Sequence, residues 1–151
     1  MIIEVYIETK KGSTEKLELR DGQLMPDKKL PLGQKFPVNY GFVPNTISGD
    51  GDAYDVILLG PAVKQGQKYK VKVIGLMRML DDAKEDYKAI CVTKDSKMKD
   101  ISDLKEKELN DLKYFFEHYR ISHTLVMGFS DVKKAERAVK LAALRYRQAK
   151  E

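Results

Sequence analysis

The sequence predicts an α+β protein, mainly β: a small barrel of short strands with two helices packed on it. Three observations carry this. The first three-fifths of the chain holds short strand-like runs, two of them alternating at period two, Gly, Pro and Asp clusters separate them, and the last third switches to helical spacing.

The first run, "IIEVYIET", alternates as a half-buried strand, and so does "KLELR", where Lys16, Glu18 and Arg20 share one face and Leu17 and Leu19 the other. Next come "DVILLG", "YKVKVIGLMRML" and "YKAICVT", each bounded by turn residues. From Ser102 the pattern changes. "SDLKEKELNDLKYFFEHY" opens on a serine cap and sets Leu109, Leu112, Phe116 and Tyr119 on one helical face. "SDVKKAERAVKLAALRYRQ" repeats the design, with Ser130 as cap and Val132, Ala135, Val139, Ala142 and Tyr146 as the stripe. At 151 residues, without repeats or a linker, the chain is expected to form one domain over residues 1–151.

Composition narrows the function classes. A single cysteine, Cys91, lies in the apolar run "AICV" and rules out an intrachain disulfide framework, which fits a reducing compartment. The first residues carry Glu4 and lack the basic-then-apolar layout of a secretory leader, and the apolar runs fall short of the roughly 20 residues of a membrane helix. The expectation is a cytoplasmic protein with no membrane partner. A net charge of +5 raises the question of polyanion binding, and the position of the charges decides it.

The acidic residues are clustered. "DGDAYD" sets three aspartates within residues 50–55, where a turn-rich stretch meets the strand "DVILLG". "LDDAKED" adds Asp81, Asp82, Glu85 and Asp86 where another strand ends. Each alone reads as a solvated turn or an Asx-turn. Two such turns at strand ends can converge, and converging carboxylates stay ionised together only beside a cation. With no His or Cys near either cluster, the ligands would be all oxygen, which suits Mg²⁺, Mn²⁺ or Ca²⁺ and argues against zinc. An EF-hand beginning at Asp50 fails, because Asp55 would fall where glycine is required and Pro61 where glutamate is required. Magnesium is favoured, since it keeps places for water and phosphate oxygens. Lys88 lies two residues after Asp86, on the same face of an extended strand, and Lys16 alternates with Glu18. Carboxylates mixed with lysines and tyrosines suit a metal and an oxyanion held together.

These motifs carry a resemblance. "DGDAYDV" resembles the D-G-D-P-x-D-V signature of soluble family I inorganic pyrophosphatases, and "PVNYGFVPNT" resembles the stretch that precedes it there. "LDDAKEDYK" and "FFEHYR" are similar to two further segments of that family, in the same order. The resemblance implies a five-stranded, OB-like β-barrel with two α-helices and an inorganic diphosphatase. Such an enzyme hydrolyses pyrophosphate to two orthophosphates with Mg²⁺, by a metal-activated water.

By motif, Asp50, Asp55, Asp81 and Asp86 would ligate metal, Asp55 bridging two ions, and Asp52 would be the general base. Lys16, Lys28, Tyr40, Lys88, Tyr119 and Arg120 would hold phosphate oxygens, with Glu4, Glu18 and Asp27 behind them. A homo-oligomer is implied too, a homohexamer favoured, with His118 where related chains make subunit contacts. Three positions depart from the family: Ala53 stands for proline, Lys28 for arginine, and Arg120 for lysine. The rival reading is an OB-like module for single-stranded nucleic acid, which explains the basic charge and the barrel. Carboxylates facing the binding surface would repel a phosphate backbone, so no nucleic-acid partner is expected.

Overall fold

In the computed structural model, residues 1–31, 33–119 and 123–150 are described, with Lys28 and Lys29 described in their backbone only. The strands are β1 (Ile2–Thr9), β2 (Glu15–Arg20), β3 (Gln23–Lys29), β4 (Asn39–Val43), β5 (Tyr54–Leu58), β6 (Gln67–Asp81), β7 (Lys84–Glu85), β8 (Lys88–Thr93) and β9 (Thr124–Ser130). The helices are α1 (Glu106–His118) and α2 (Val132–Ala149), and a single 3₁₀ turn covers Ile101–Asp103.

Five strands close a ring in the order β1-β4-β5-β8-β6, and β6 returns to β1. All seams are antiparallel except β5–β8, where Asp55 stands opposite Lys88 and Ile57 opposite Ile90. Closure removes the exposed edges that an open sheet would offer. The long strand β6 makes this possible. Its first half pairs β1, its middle pairs β8, and its second half pairs β9. The strand turns at a bulge between Val73 and Gly75, where a Cβ on Gly75 would lie 2.8 Å from Ile101 Cδ1. Hairpin β2–β3 forms a separate two-stranded sheet beside the barrel.

Alternation along the strands separates two apolar clusters. Ile57, Ile74, Ile90 and Val92 pack with Leu112, Phe115 and Phe116 of α1, while Val56, Leu58, Val73 and Cys91 pack with Ala135, Val139 and Ala142 of α2. Each fully buried side chain of this size contributes roughly 1.5–3 kcal/mol of transfer free energy. Cys91 is buried as expected, and burial pushes its thiol pKa up. No helix among the described residues is long and apolar enough to cross a membrane.

Two details of the helices differ from the sequence reading. Ser102 caps no α-helix: it sits inside the 3₁₀ turn, which Asp100 caps, and α1 begins only at Glu106 after Lys105. Likewise Asp131, one residue after Ser130, caps α2 by accepting the Lys134 N–H at 3.0 Å. Either residue of a Ser-Asp pair can cap, and the carboxylate is the stronger acceptor. The last third is also less helical than its spacing suggests, because β9 runs between the two helices.

Candidate active site: an acidic cavity at the barrel mouth

Strand parity positions the first groups. Asp55 lies two residues before Ile57 on β5, and Lys88 two before Ile90 on β8, so both side chains emerge on the face that packs under α1. Tyr40 on β4 and Tyr119 after α1 belong to the same cluster and are buried there. Lys88 is only 1% exposed. Its ammonium donates to Asp55 Oδ2 at 2.9 Å and to Asp86 Oδ1 at 3.1 Å, and lies 5.1 Å from the centre of the Tyr40 ring.

The two acidic turns close on this group from either side. In the first, Ser48 N–H donates to Asp52 O at 2.7 Å and Gly51 takes φ 91°, a conformation that suits only glycine well. Asp50 Oδ1 accepts the Asp52 N–H at 3.0 Å and the Ser48 hydroxyl, so this segment does form an Asx-turn. In the second, Asp81 ends β6 opposite Lys84, and Asp82 and Ala83 make the two-residue turn, both with positive φ. Asp86 N–H then donates to Met79 O at 2.9 Å, which turns the chain back toward β8. The third wall is the β2–β3 hairpin, which brings Lys16, Glu18 and Asp27 to the cavity, with Lys16 Nζ 3.3 Å from Asp27 Oδ2.

The result is a cavity of about 490 Å³, lined by Glu8, Lys16, Glu18, Leu19, Asp27, Tyr40, Phe42, Asp50, Asp52, Ala53, Asp55, Asp81, Asp86, Lys88 and Tyr119. Eleven of the fourteen residues singled out from the sequence meet here. Arg120 lies outside the described residues, and so does the side chain of Lys28, whose backbone pairs with Lys16.

Glu4 is a correction. It sits half-exposed on the far part of β1, 3.8 Å from Lys68, against a different pocket. Glu8 is the β1 carboxylate at the cavity, where it is buried and accepts the Leu19 N–H at 2.8 Å. Both residues fall on one face by alternation, so period two alone did not separate them. Only the end of β1 reaches the β2–β3 hairpin.

Crowding shows in the proton affinities. Burial holds the Glu8 carboxyl up at about 7, with Asp55 adding to the effect. Burial also raises Asp52, helped by Asp50, Asp55 and Glu18. Within the buried pair, burial pushes Asp86 up to about 7, while at Asp55 burial is overcome by Lys88, the hydrogen bond with Asp86 and Lys16 together, which keep that carboxyl below its usual value. Lys88 is itself held above its ordinary range, because Asp55 and Asp86 overcome the opposing effect of burial.

Glu8 yields a prediction for the metal-free protein. Its folded pKa lies above the ordinary 4.5, so the destabilisation is absent below pH 4.5, grows as pH rises, and is complete above about 7. Glu8→Gln is therefore expected to raise unfolding free energy by about 3 kcal/mol at pH 8 and by almost nothing at pH 4. Urea titrations at the two pH values check this, and an equal gain at both would contradict it.

The donor set fits a hard divalent cation. Eight carboxylates face two lysines among the described lining residues, all the acidic donors are oxygens, and several are forced toward protonation. Among the described residues no three acidic, His or Cys side chains are gathered as a metal site, and the Lys88 ammonium holds an oxygen of both Asp55 and Asp86. An excess of carboxylates of this kind repels a nucleic-acid backbone, whatever the net charge of the chain.

Comparisons with known proteins agree with this chemistry. The family model described as inorganic pyrophosphatase matches residues 5–147. The inorganic pyrophosphatase of Helicobacter pylori is 38% identical over 153 residues, covering 90% of this chain and 88% of its own. That of Sulfolobus acidocaldarius is 32% identical, covering 95% and 91%. Among solved structures, an inorganic pyrophosphatase from Helicobacter pylori superposes with a TM-score of 0.91 at 34% identity, covering 97% of this chain and 94% of that one. The Thermus thermophilus enzyme gives 0.92 at 31% identity, covering 97% and 91%. With the acidic cavity and the five-stranded ring in place, the chain belongs to the soluble family I inorganic pyrophosphatases, hydrolases that act on pyrophosphate.

Proposed function

We propose that the acidic cavity hydrolyses inorganic pyrophosphate to two orthophosphates with Mg²⁺ as the working cation, Mn²⁺ being the nearest substitute. The observation that carries the reading is the meeting of both acidic turns with Lys16, Lys88, Tyr40 and Tyr119 in one cavity. Asp50, Asp55, Asp81 and Asp86 would hold the metal, Asp55 from the position where it now meets Lys88. A bound cation of this type supplies positive charge at the phosphate oxygens and makes a neighbouring water more acidic.

The protein's own groups do the rest. Lys16 and Lys88 present ammonium groups to the substrate, and Tyr40, kept un-ionised by burial and by Asp55, offers its hydroxyl beside that of Tyr119. Lys28 and Arg120 are assigned to the same phosphate contacts by motif, and Glu18 and Asp27, with Glu8 in the place given to Glu4, set the charge around them. Asp52 is assigned the proton from the attacking water. Its raised pKa makes it a stronger base than a free aspartate while it stays near the mouth, open to water.

Replacing that carboxylate by its amide separates the roles. Asp52→Asn is expected to lower kcat by about 10²- to 10⁴-fold while leaving Mg²⁺ binding, measured by calorimetry, largely intact. Equal loss of both would move Asp52 from base to ligand.

The same reading takes the chain as one domain over residues 1–151, working in the cytoplasm. Its single, buried thiol suits a reducing compartment. It also takes the protein as a homo-oligomer, a homohexamer by resemblance. Exposed Tyr114, Leu125 and Met127 support that, with the Tyr114 ring stacked 4.2 Å from His118.

A further inference from the structure

One charged side chain beside the cavity has no role so far. Arg20, at the end of β2, is not among the lining residues, yet its Nη2 lies 3.1 Å from Glu18 Oε2 and 3.1 Å from Asp27 Oδ1. Asp27 Oδ2 in turn lies 3.3 Å from Lys16 Nζ. The hairpin therefore carries an unbroken row of alternating charge, Glu18 to Arg20 to Asp27 to Lys16, with Lys16 at the substrate end. Lys16 is 16% exposed and stands 5.9 Å from the centre of the Tyr40 ring, so it is the cation of the row that faces the cavity, where Glu18 and Asp27 also lie.

The row matters because Asp27 competes with an incoming phosphate for the Lys16 ammonium. A carboxylate with one cationic partner holds it firmly. With a second partner on its other oxygen, its charge is shared and each bond weakens. Arg20 is fitted for that second place by its guanidinium, whose Nη2 meets both carboxylates and which keeps its charge at any pH of interest.

We propose that Arg20 is a positioning residue for pyrophosphate binding. By neutralising Asp27 from outside the cavity, it frees the Lys16 ammonium to exchange from Asp27 to a substrate oxygen. The proposal rests on the pyrophosphatase reading of the cavity. It places Arg20 in the binding step only, since Arg20 does not itself line the cavity.

The expected effect follows from that step. Arg20 is about half-exposed and its pairs with Glu18 and Asp27 are weak, so Arg20→Ala should raise KM for pyrophosphate about fivefold while kcat stays within about twofold. Arg20→Lys should recover part of the loss, because an ammonium can meet Asp27 but matches the two carboxylates less well. Coupling is the decisive readout. In an Asp27→Asn background the competing charge is already gone, so adding Arg20→Ala should change KM by less than about twofold. Calorimetry with orthophosphate should show the same pattern without turnover.

A KM increase from Arg20→Ala that is equal in both backgrounds would overturn the proposal, as would a fall in kcat at constant KM or no change at all. Hydrolysis by the unaltered protein answers the other question. If that is absent while orthophosphate affinity still follows the Arg20–Asp27 coupling, the pyrophosphatase reading fails and the charge row stands.

Discussion

Lys88→Met is expected to cripple both the site and the fold around it. Lys88 is almost wholly buried and donates to Asp55 and Asp86, with the Tyr40 and Phe116 rings beside its ammonium. Methionine fills the volume but leaves two neighbouring carboxylates facing each other in a poorly solvated place. Breaking a buried pair by removing one partner destabilises by about 3–5 kcal/mol, and the partial exposure of Asp55 and Asp86 puts this case near the lower end.

The pH dependence follows from the charges. With Lys88 gone, the main opposition to burial at Asp55 is lost and only the Asp86 hydrogen bond and Lys16 act against it, so the pair as a whole would bind protons more tightly folded than unfolded. The loss of stability is therefore small in acid, where both are protonated anyway, and grows as pH rises toward 7 and beyond. Catalysis should fall by about 10²- to 10³-fold even where the variant is folded, since a fixed cation at the substrate oxygens is missing. Denaturation at pH 4 and pH 8 without metal, with turnover measured alongside, checks both parts. Full activity in a folded variant would remove Lys88 from the phosphate contacts.

Gly41→Ala is expected to be worse for folding, for a reason that involves no charge. Gly41 stands in the β1–β4 seam opposite Ile7, and a Cβ there would lie 1.8 Å from the Tyr6 carbonyl oxygen. The obstruction is backbone, so no side-chain rotation relieves it. The seam must open by more than an ångström, in a ring whose strands are all tied to two neighbours. A destabilisation of at least about 3 kcal/mol is expected, with the protein recovered mainly as aggregate. Thermal unfolding of the soluble fraction measures it, and a melting temperature unchanged from the original would contradict the close approach. Tyr40 and Phe42 flank Gly41 in the cavity lining, so a milder shift of this seam would reach the site as well.

The sequence made some of this legible and hid the rest for physical reasons. The acidic turns stood out because like charges seldom gather at adjacent strand ends without a partner, and the structure brings both to one cavity. Strand-like runs revealed β1, β5, β6 and β8 of the ring but not β4, and period two put Lys88 on the same face as Asp86. Period two is silent about distance along a strand, so it does not tell Glu4, which the resemblance implied, from Glu8, which meets the hairpin at the end of β1. The segment "TLVMGFS" was passed over because it is interrupted by Gly128 and flanked by strongly helical stretches. Its strand character comes from pairing with β6, a tertiary effect that local pattern does not register. Arg20 was visible as one more charge on an alternating face. Its importance depends on Asp27, brought within reach across a hairpin whose register shifts between Lys16 and Leu17.

The most direct test of the central claim is orthophosphate release from pyrophosphate by the unaltered protein, in Mg²⁺ and again in excess EDTA. The account predicts rapid release with Mg²⁺ and its disappearance in EDTA, with release restored when Mg²⁺ is added back. A folded protein that releases no orthophosphate in Mg²⁺ or Mn²⁺, or one whose release is untouched by EDTA, would contradict it.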